Sequence, residues 1–108
     1  MRLLAAGLAL AAGLALAVAG PAAARELPPR EHSRCHAIAA NQGFSPEPSD
    51  DYDRAVLCIG RETLEMDWNG YLENVVEFDG TPEEARRRFE RELYDAFGCE
   101  ALIGVAPR

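Results

Sequence analysis

The longest apolar pattern in the chain is an uncharged run, rich in alanine and leucine, close to its beginning. The run covers residues 3–24, follows a single positive charge at Arg2 and ends in three alanines. This layout predicts a cleavable secretory signal peptide over residues 1–24. A permanent membrane anchor is the alternative, because 22 uncharged residues are long enough to span a bilayer. Glycines and a proline interrupt the run, however, and no basic cluster follows it, so the signal peptide is favoured.

Two later segments have the pattern of helices. A pair of prolines opens the first, and no helix breaker follows before Gly43, so we expect a helix over residues 30–42. The second begins with Thr-Pro-Glu-Glu, a capping box in which Thr81 is the N-cap. Its apolar residues recur every three or four positions up to Phe97, and Gly98 is expected to be its left-handed C-terminal cap.

The segment between these two helices fits two templates. If Gly60 and Arg61 form a two-residue turn, and residues 68–70 form a three-residue loop, three strands bring their apolar residues onto one face. A helix also collects many of the same residues on one side. The strand register accounts for the apolar positions better, so we expect a three-stranded antiparallel meander over residues 54–78. Residues 43–51, rich in proline, serine and aspartate, are expected to be a loop.

Together these elements predict an α+β fold: a helix, a three-stranded antiparallel meander, a second helix, and a short C-terminal strand over residues 99–105. Residues 25–108 would form a single small domain. The alternative fold is a small all-α bundle stapled by a disulfide, in which the middle segment is helical.

Three cysteines, at positions 35, 58 and 99, bear on how so small a domain is held together. A secreted chain of this size often needs a covalent staple, and three cysteines supply one disulfide and one remaining thiol. We expect Cys58 to be in the bridge, with either Cys99 or Cys35, because it lies between the other two in the sequence. A bridge to Cys35 would link it to the first helix, and a bridge to Cys99 would link it to the last strand.

Net charge narrows the choice of partner. Without Arg2 the chain has ten basic and eighteen acidic residues, a formal net charge of −8. Such a surface repels phosphates, so we expect no nucleic-acid partner. An anionic membrane surface is disfavoured for the same reason. We therefore expect a secreted or periplasmic protein with no stable membrane association after signal cleavage.

Two groups of residues are candidates for binding. His32, Cys35 and His36 share a face of the first predicted helix, and such a donor set could hold zinc or copper. Trp68, at the predicted loop tip, and Tyr71 beside it are candidates for contact with a protein partner, because tryptophan and tyrosine are enriched at binding hot spots.

Motifs of the large enzyme classes do not occur in the sequence. There is no Gly-x-Ser-x-Gly elbow, no phosphate-binding loop and no dinucleotide fingerprint. The sequence therefore predicts a non-enzymatic binding module without a cofactor, for example an inhibitor or an immunity-type protein that acts on a protein partner. The alternative is a small periplasmic protein that binds zinc or copper.

Overall fold

The computed structural model describes residues 25–108, and all regular secondary structure in this part of the chain is helical. The predicted α+β fold is therefore wrong, and the small disulfide-linked all-helical alternative fits the structure. The predicted signal peptide, residues 1–24, lies outside the described residues. The elements are α1 (Arg30–Asn41), α2 (Asp51–Asn74), α3 (Pro82–Ala96) and α4 (Cys99–Ile103).

The largest correction concerns the predicted meander, most of which is the single long helix α2. Asp50 is its N-cap, and the side chain of Asp50 accepts a hydrogen bond of 2.8 Å from the amide of Asp53. Residues 61–67, predicted to contain the middle strand, are mostly arginine, glutamate, leucine and methionine, which favour helix. The helix ends at Asn74, and an irregular linker, residues 75–81, leads to α3.

Gly60, predicted to be a turn residue, lies where α2 crosses α1. A β-carbon at this position would be 2.7 Å from the carbonyl carbon of Ser33, closer still to its oxygen, and 2.8 Å from the β-carbon of Ala37. No side chain fits between the two helices here, so glycine is required for their close approach.

The core surrounds this crossing. Helix α1 has the most buried side chains, and α2, α3, α4 and the loop after α1 complete the cluster. In the loop, the Phe44 ring packs edge-on against Tyr94 with its centroid 5.4 Å away. The buried members of the cluster are Cys35, Ala37, Ile38, Ala39, Phe44, Leu57, Leu64, Tyr94 and Cys99.

Helix α3 confirms the predicted capping box. The hydroxyl of Thr81 accepts a hydrogen bond of 3.1 Å from the amide of Glu84, and the Glu84 carboxylate accepts one of 2.8 Å from the Thr81 amide. Hydrogen bonding with Thr81 holds the pKa of Glu84 below its usual value. The backbone amide of Thr81 has the larger effect and the side chain of Thr81 the smaller one. After the helix, Gly98 has the predicted left-handed backbone, with a φ of 62°.

The disulfide joins Cys35 of α1 to Cys99 of α4, so the prediction that Cys58 is in the bridge is wrong. Both bridged cysteines are completely buried, whereas Cys58 is a free thiol on the exposed side of α2. The bridge spans a sequence separation of 64 residues, and closing a loop of this length stabilises the folded state by about 4 kcal/mol.

Chain topology explains the pairing. Asn41, at the end of α1, donates hydrogen bonds to the Glu90 carboxylate, while Arg34, near the start of α1, lies 3.8 Å above the Phe97 ring. Helix α3 therefore runs antiparallel to α1 and delivers Cys99 to the middle of that helix. The short strand predicted over residues 99–105 is also wrong, because Cys99–Ile103 forms α4.

We expect Gly60→Ala to lower the free energy of unfolding by about 1–3 kcal/mol, because the added methyl group must push α1 and α2 apart. Gly70→Ala is the matched control: Gly70 also lies within α2, but a β-carbon there would have no heavy atom within 4 Å. That change should raise the free energy of unfolding by about 0.5–1 kcal/mol. Urea denaturation measures both. A Gly60→Ala variant as stable as the Gly70→Ala variant would contradict the close crossing.

We expect Thr81→Ala to lower the free energy of unfolding by about 1 kcal/mol, because it removes the acceptor that caps α3. Thr81→Ser keeps the hydroxyl and should stay close to the unaltered protein. The denaturation midpoint, monitored by circular dichroism, measures the difference. If the alanine and serine variants have the same midpoint, the cap does not stabilise the helix.

Candidate partner-binding surface

Helix α2 is much longer than the helix that covers it. With 24 residues it is about 36 Å long, whereas α1, with 12 residues, is about 18 Å long. The crossing at Gly60 places α1 against the middle of α2, and the Arg34 guanidinium reaches the carboxylate of Asp67 at 3.2 Å. Beyond Asp67, the last turns of α2 extend past this ion pair.

Four aromatic side chains lie together where α2 extends past α1. Trp68 and Tyr71, one turn apart on α2, stack with ring centroids 5.4 Å apart and ring planes inclined by 19°. Phe89 of α3 packs against both, at 5.3 Å from Trp68 and 4.9 Å from Tyr71. Phe78 of the linker lies 6.3 Å from Trp68. All four are only partly buried, so the cluster is accessible from solvent.

Two exposed aliphatic side chains accompany the aromatic cluster in sequence. Leu72, on the last turn of α2, is 39% exposed, and Val76, in the linker, is 98% exposed. Neither belongs to the buried core. When a partner covers an aliphatic side chain, the removal of its surface from water favours binding by roughly 25 cal/mol per Å² of apolar area.

Acidic residues dominate the same stretch of chain. Between Arg61 and Arg86 there are eight acidic residues and no basic residue. Two of the eight are in ion pairs, Asp67 with Arg34 and Glu65 with Arg86. The other six form no ion pair within residues 25–108; they are Glu62, Glu73, Glu77, Asp79, Glu83 and Glu84. We use the name acid–aromatic surface for Trp68, Tyr71, Leu72, Val76, Phe78 and Phe89 with the adjacent Glu73, Glu77 and Asp79.

Arg86 fixes the aromatic cluster to the rest of the bundle. Its guanidinium makes ion pairs with Glu65 at 3.0 Å and with the buried Glu90 at 2.8 Å, and it lies 5.5 Å from the centre of the Trp68 ring. Glu90 also accepts hydrogen bonds from Asn41 of α1. The positive charge of Arg86 is therefore shared by carboxylates of α2 and α3.

The structure brings the predicted partner-binding residues Trp68 and Tyr71 into direct contact, but not in the predicted place. Trp68 lies within α2 and not at the tip of a hairpin, and Tyr71 stacks on it one helical turn later. Phe78 and Phe89 were missed, because each joins the cluster only through the packing of the linker and α3. The spacing of Trp68, Tyr71 and Leu72 is helical, and this signal was present in the sequence. Partner binding itself stays a prediction.

The predicted metal ligands His32, Cys35 and His36 do not form a donor set. The sulfur of Cys35 is bonded to Cys99, so it provides no thiolate in this structure. Among residues 25–108, no three histidine, cysteine, aspartate or glutamate side chains lie close enough to hold a metal ion.

His36 lines a groove at the other end of α2. The groove has a volume of about 490 Å³ and was not predicted from the sequence. Its walls include the segment before α1, where Arg25 lies 3.6 Å above the Tyr52 ring and the Tyr52 hydroxyl donates a hydrogen bond of 2.9 Å to the Glu26 carbonyl. Burial lowers the pKa of His36; the Asp53 carboxylate opposes this change and His32 adds to it. Proline-rich loop residues and Val105 complete the lining.

None of the helices within residues 25–108 combines the length and the apolar composition that crossing a bilayer requires.

We expect His36 to make the fold less stable in mild acid. Because burial favours the neutral imidazole, the folded state binds a proton less readily than the unfolded chain, whose histidines titrate near pH 6.5. The stability that depends on neutral His36 is present above this pH and is lost as the pH falls below it. Urea denaturation at about pH 7.5 and about pH 5.5 measures the change in free energy of unfolding.

His36→Gln should reduce this pH dependence, whereas His32→Gln should keep most of it. Both variants remove one histidine from α1, so the comparison separates burial from the loss of a titrating group. A His36→Gln variant with the pH dependence of the unaltered protein would show that His36 is not its source.

Comparison with known proteins gives no relative from which a function could be transferred. No protein-family model, no curated protein and no solved structure matches the chain.

Proposed function

We propose that this chain is an exported, non-enzymatic binding module that contacts a protein partner through the acid–aromatic surface. The observation that carries the proposal is the group of partly exposed aromatic rings at the uncovered end of α2, with the exposed Leu72 and Val76 close to them in sequence. Aromatic side chains offer a large apolar contact area and are enriched where interfaces gain most of their binding energy.

The arrangement of the rings also supports binding. Phe89 packs against Trp68 and Tyr71, and Arg86 lies near Trp68 while paired with Glu65 and Glu90. Side chains held in this way lose little rotational freedom when a partner covers them, so less of the contact energy is offset by ordering. The surface is thus preorganised for contact.

Export is supported by the pattern of residues 1–24 together with the buried bridge between Cys35 and Cys99. Disulfides form and persist in oxidising compartments, such as the extracellular space and the bacterial periplasm. A small, acidic, disulfide-linked helical module with one preformed contact surface suits an inhibitor or an immunity-type protein that covers part of a larger enzyme.

Site-specific photo-crosslinking in the producing cells tests the proposal. A benzophenone amino acid replaces Val76, whose side chain is almost fully exposed, and in a separate variant it replaces Leu102 of α4, which is 42% exposed. We expect irradiation to join the chain at position 76 to one protein, identified by mass spectrometry, and to give no such adduct at position 102. Neither replacement removes a residue of the buried core.

Affinity for the identified partner provides the quantitative test. Leu72→Asp should weaken binding by about 2 kcal/mol or more, as expected for loss of an apolar anchor at an interface. Leu102→Asp, at a leucine of similar exposure, should leave the affinity nearly unchanged. The proposal fails if position 76 gives no protein adduct, or if positions 76 and 102 give the same adducts.

A further inference from the structure

We propose that the partner presents a cationic amphipathic segment, with lysine or arginine on one side and apolar residues on the other, to the acid–aromatic surface. This inference rests on the proposed function and adds the chemical class of the partner.

In the linker after α2, apolar and acidic residues alternate, so the apolar contact residues lie next to negative charges in the sequence. Val76, Glu77, Phe78 and Asp79 follow one another, so apolar and acidic side chains occur in turn along four residues. On α2, Glu73 directly follows Leu72. Any partner that covers the apolar members of this stretch must also approach the carboxylates next to them.

No ion pair in the described chain neutralises these carboxylates. Glu73, Glu77 and Asp79 make no ion pair within residues 25–108. Arg88 is the nearby cation shown by a contact, and its guanidinium donates to the backbone oxygen of Asp79, at 2.6 Å, and not to the carboxylate. Arg86 is already paired with Glu65 and Glu90.

Desolvation therefore selects among partners. A neutral or acidic partner would withdraw water from three carboxylates without supplying an opposite charge, which costs free energy. A partner with cationic groups at the rim would compensate these charges, and the acidic field would also attract it before contact. Charge complementarity thus favours a basic partner and disfavours an anionic lipid surface.

The shape of the site favours a helix as the docked segment. Seven residues of α2, 68–74, lie beyond the ion pair of Arg34 with Asp67, which corresponds to about 10 Å, or about two helical turns. A straight amphipathic helix can lie along such an uncovered helix end, with its apolar side on the rings.

Trp68 makes the experiment direct, because it is the only tryptophan in the chain and lies in the surface. The probe is a synthetic amphipathic helix of about 14 residues made of lysine and leucine, long enough to cover the uncovered part of α2. The control peptide has glutamate in place of lysine. We expect the lysine peptide to change the fluorescence of Trp68 in a saturable way, and the glutamate peptide to leave it unchanged.

Charge-reversal variants locate the binding site. Glu77→Lys with Asp79→Lys should weaken binding of the lysine peptide at least about tenfold, because the partner's cations then meet like charges. Glu47→Lys with Glu92→Lys changes the net charge equally but alters exposed residues outside the surface, and should weaken binding much less. An equal loss in both double variants would overturn the inference, because net charge alone would then explain binding.

Three further results would also overturn the inference. The first is equal binding of the glutamate peptide. The second is a Trp68 response to phosphatidylcholine vesicles with none to the lysine peptide, which would indicate a lipid surface. The third is concentration-dependent dimerisation of the chain, seen by sedimentation and abolished by Glu77→Lys with Asp79→Lys, which would identify the occupant as a second copy.

Failure of this inference is distinguishable from failure of the proposed function. A protein adduct at position 76 whose joined segment is neutral or acidic contradicts the cationic class and leaves the binding module intact. Absence of any protein adduct at position 76 contradicts the proposed function itself.

Discussion

The close approach of α1 and α2 at Gly60 is the constraint on which the rest of the structure depends. Where a β-carbon would stand on Gly60, the backbone of Ser33 already occupies the space. Backbone atoms therefore set the separation of the two helices, and Ile38 and Leu64, both completely buried, belong to the core that forms around the crossing. A wider crossing would leave gaps throughout a small core, because protein interiors tolerate little lost contact.

The difference in length between α1 and α2 gives the molecule a part that α1 covers and a part beyond α1. Near the crossing, α1, α3 and α4 enclose the core and the disulfide. At the far end of α2, Phe89, Phe78 and Arg86 are neighbours of Trp68. The apolar residues there stay partly or largely exposed, and this exposure is the basis of the proposed partner contact.

Helices α1 and α3 could be predicted from local interactions. Helix α2 was not predicted, because its glycines are also typical of hairpin turns. The proline pair before α1 and the capping box of Thr81 act within one turn of chain, so the sequence alone identifies both. Gly60 and Gly70 lie inside α2, but glycine followed by a polar residue, or preceded by asparagine, is equally typical of a hairpin turn. The role of Gly60 in helix packing depends on the position of Ser33 against it, and that contact joins residues far apart in sequence.

The sequence identifies which residue types could form the disulfide and the site, but their pairing depends on the path of α3. Residue type identified Trp68 and Tyr71, but their contact with Phe89 depends on how α3 returns along the bundle. The same return brings Cys99 to Cys35. That link also has a mechanical consequence: under a pull on the two ends of the described chain, the covalent bridge bears the force, and only the residues outside the bridged loop can extend. At about 3.5 Å per residue they lengthen the molecule by a few nanometres, while the loop that contains α2, α3 and the acid–aromatic surface stays unstretched.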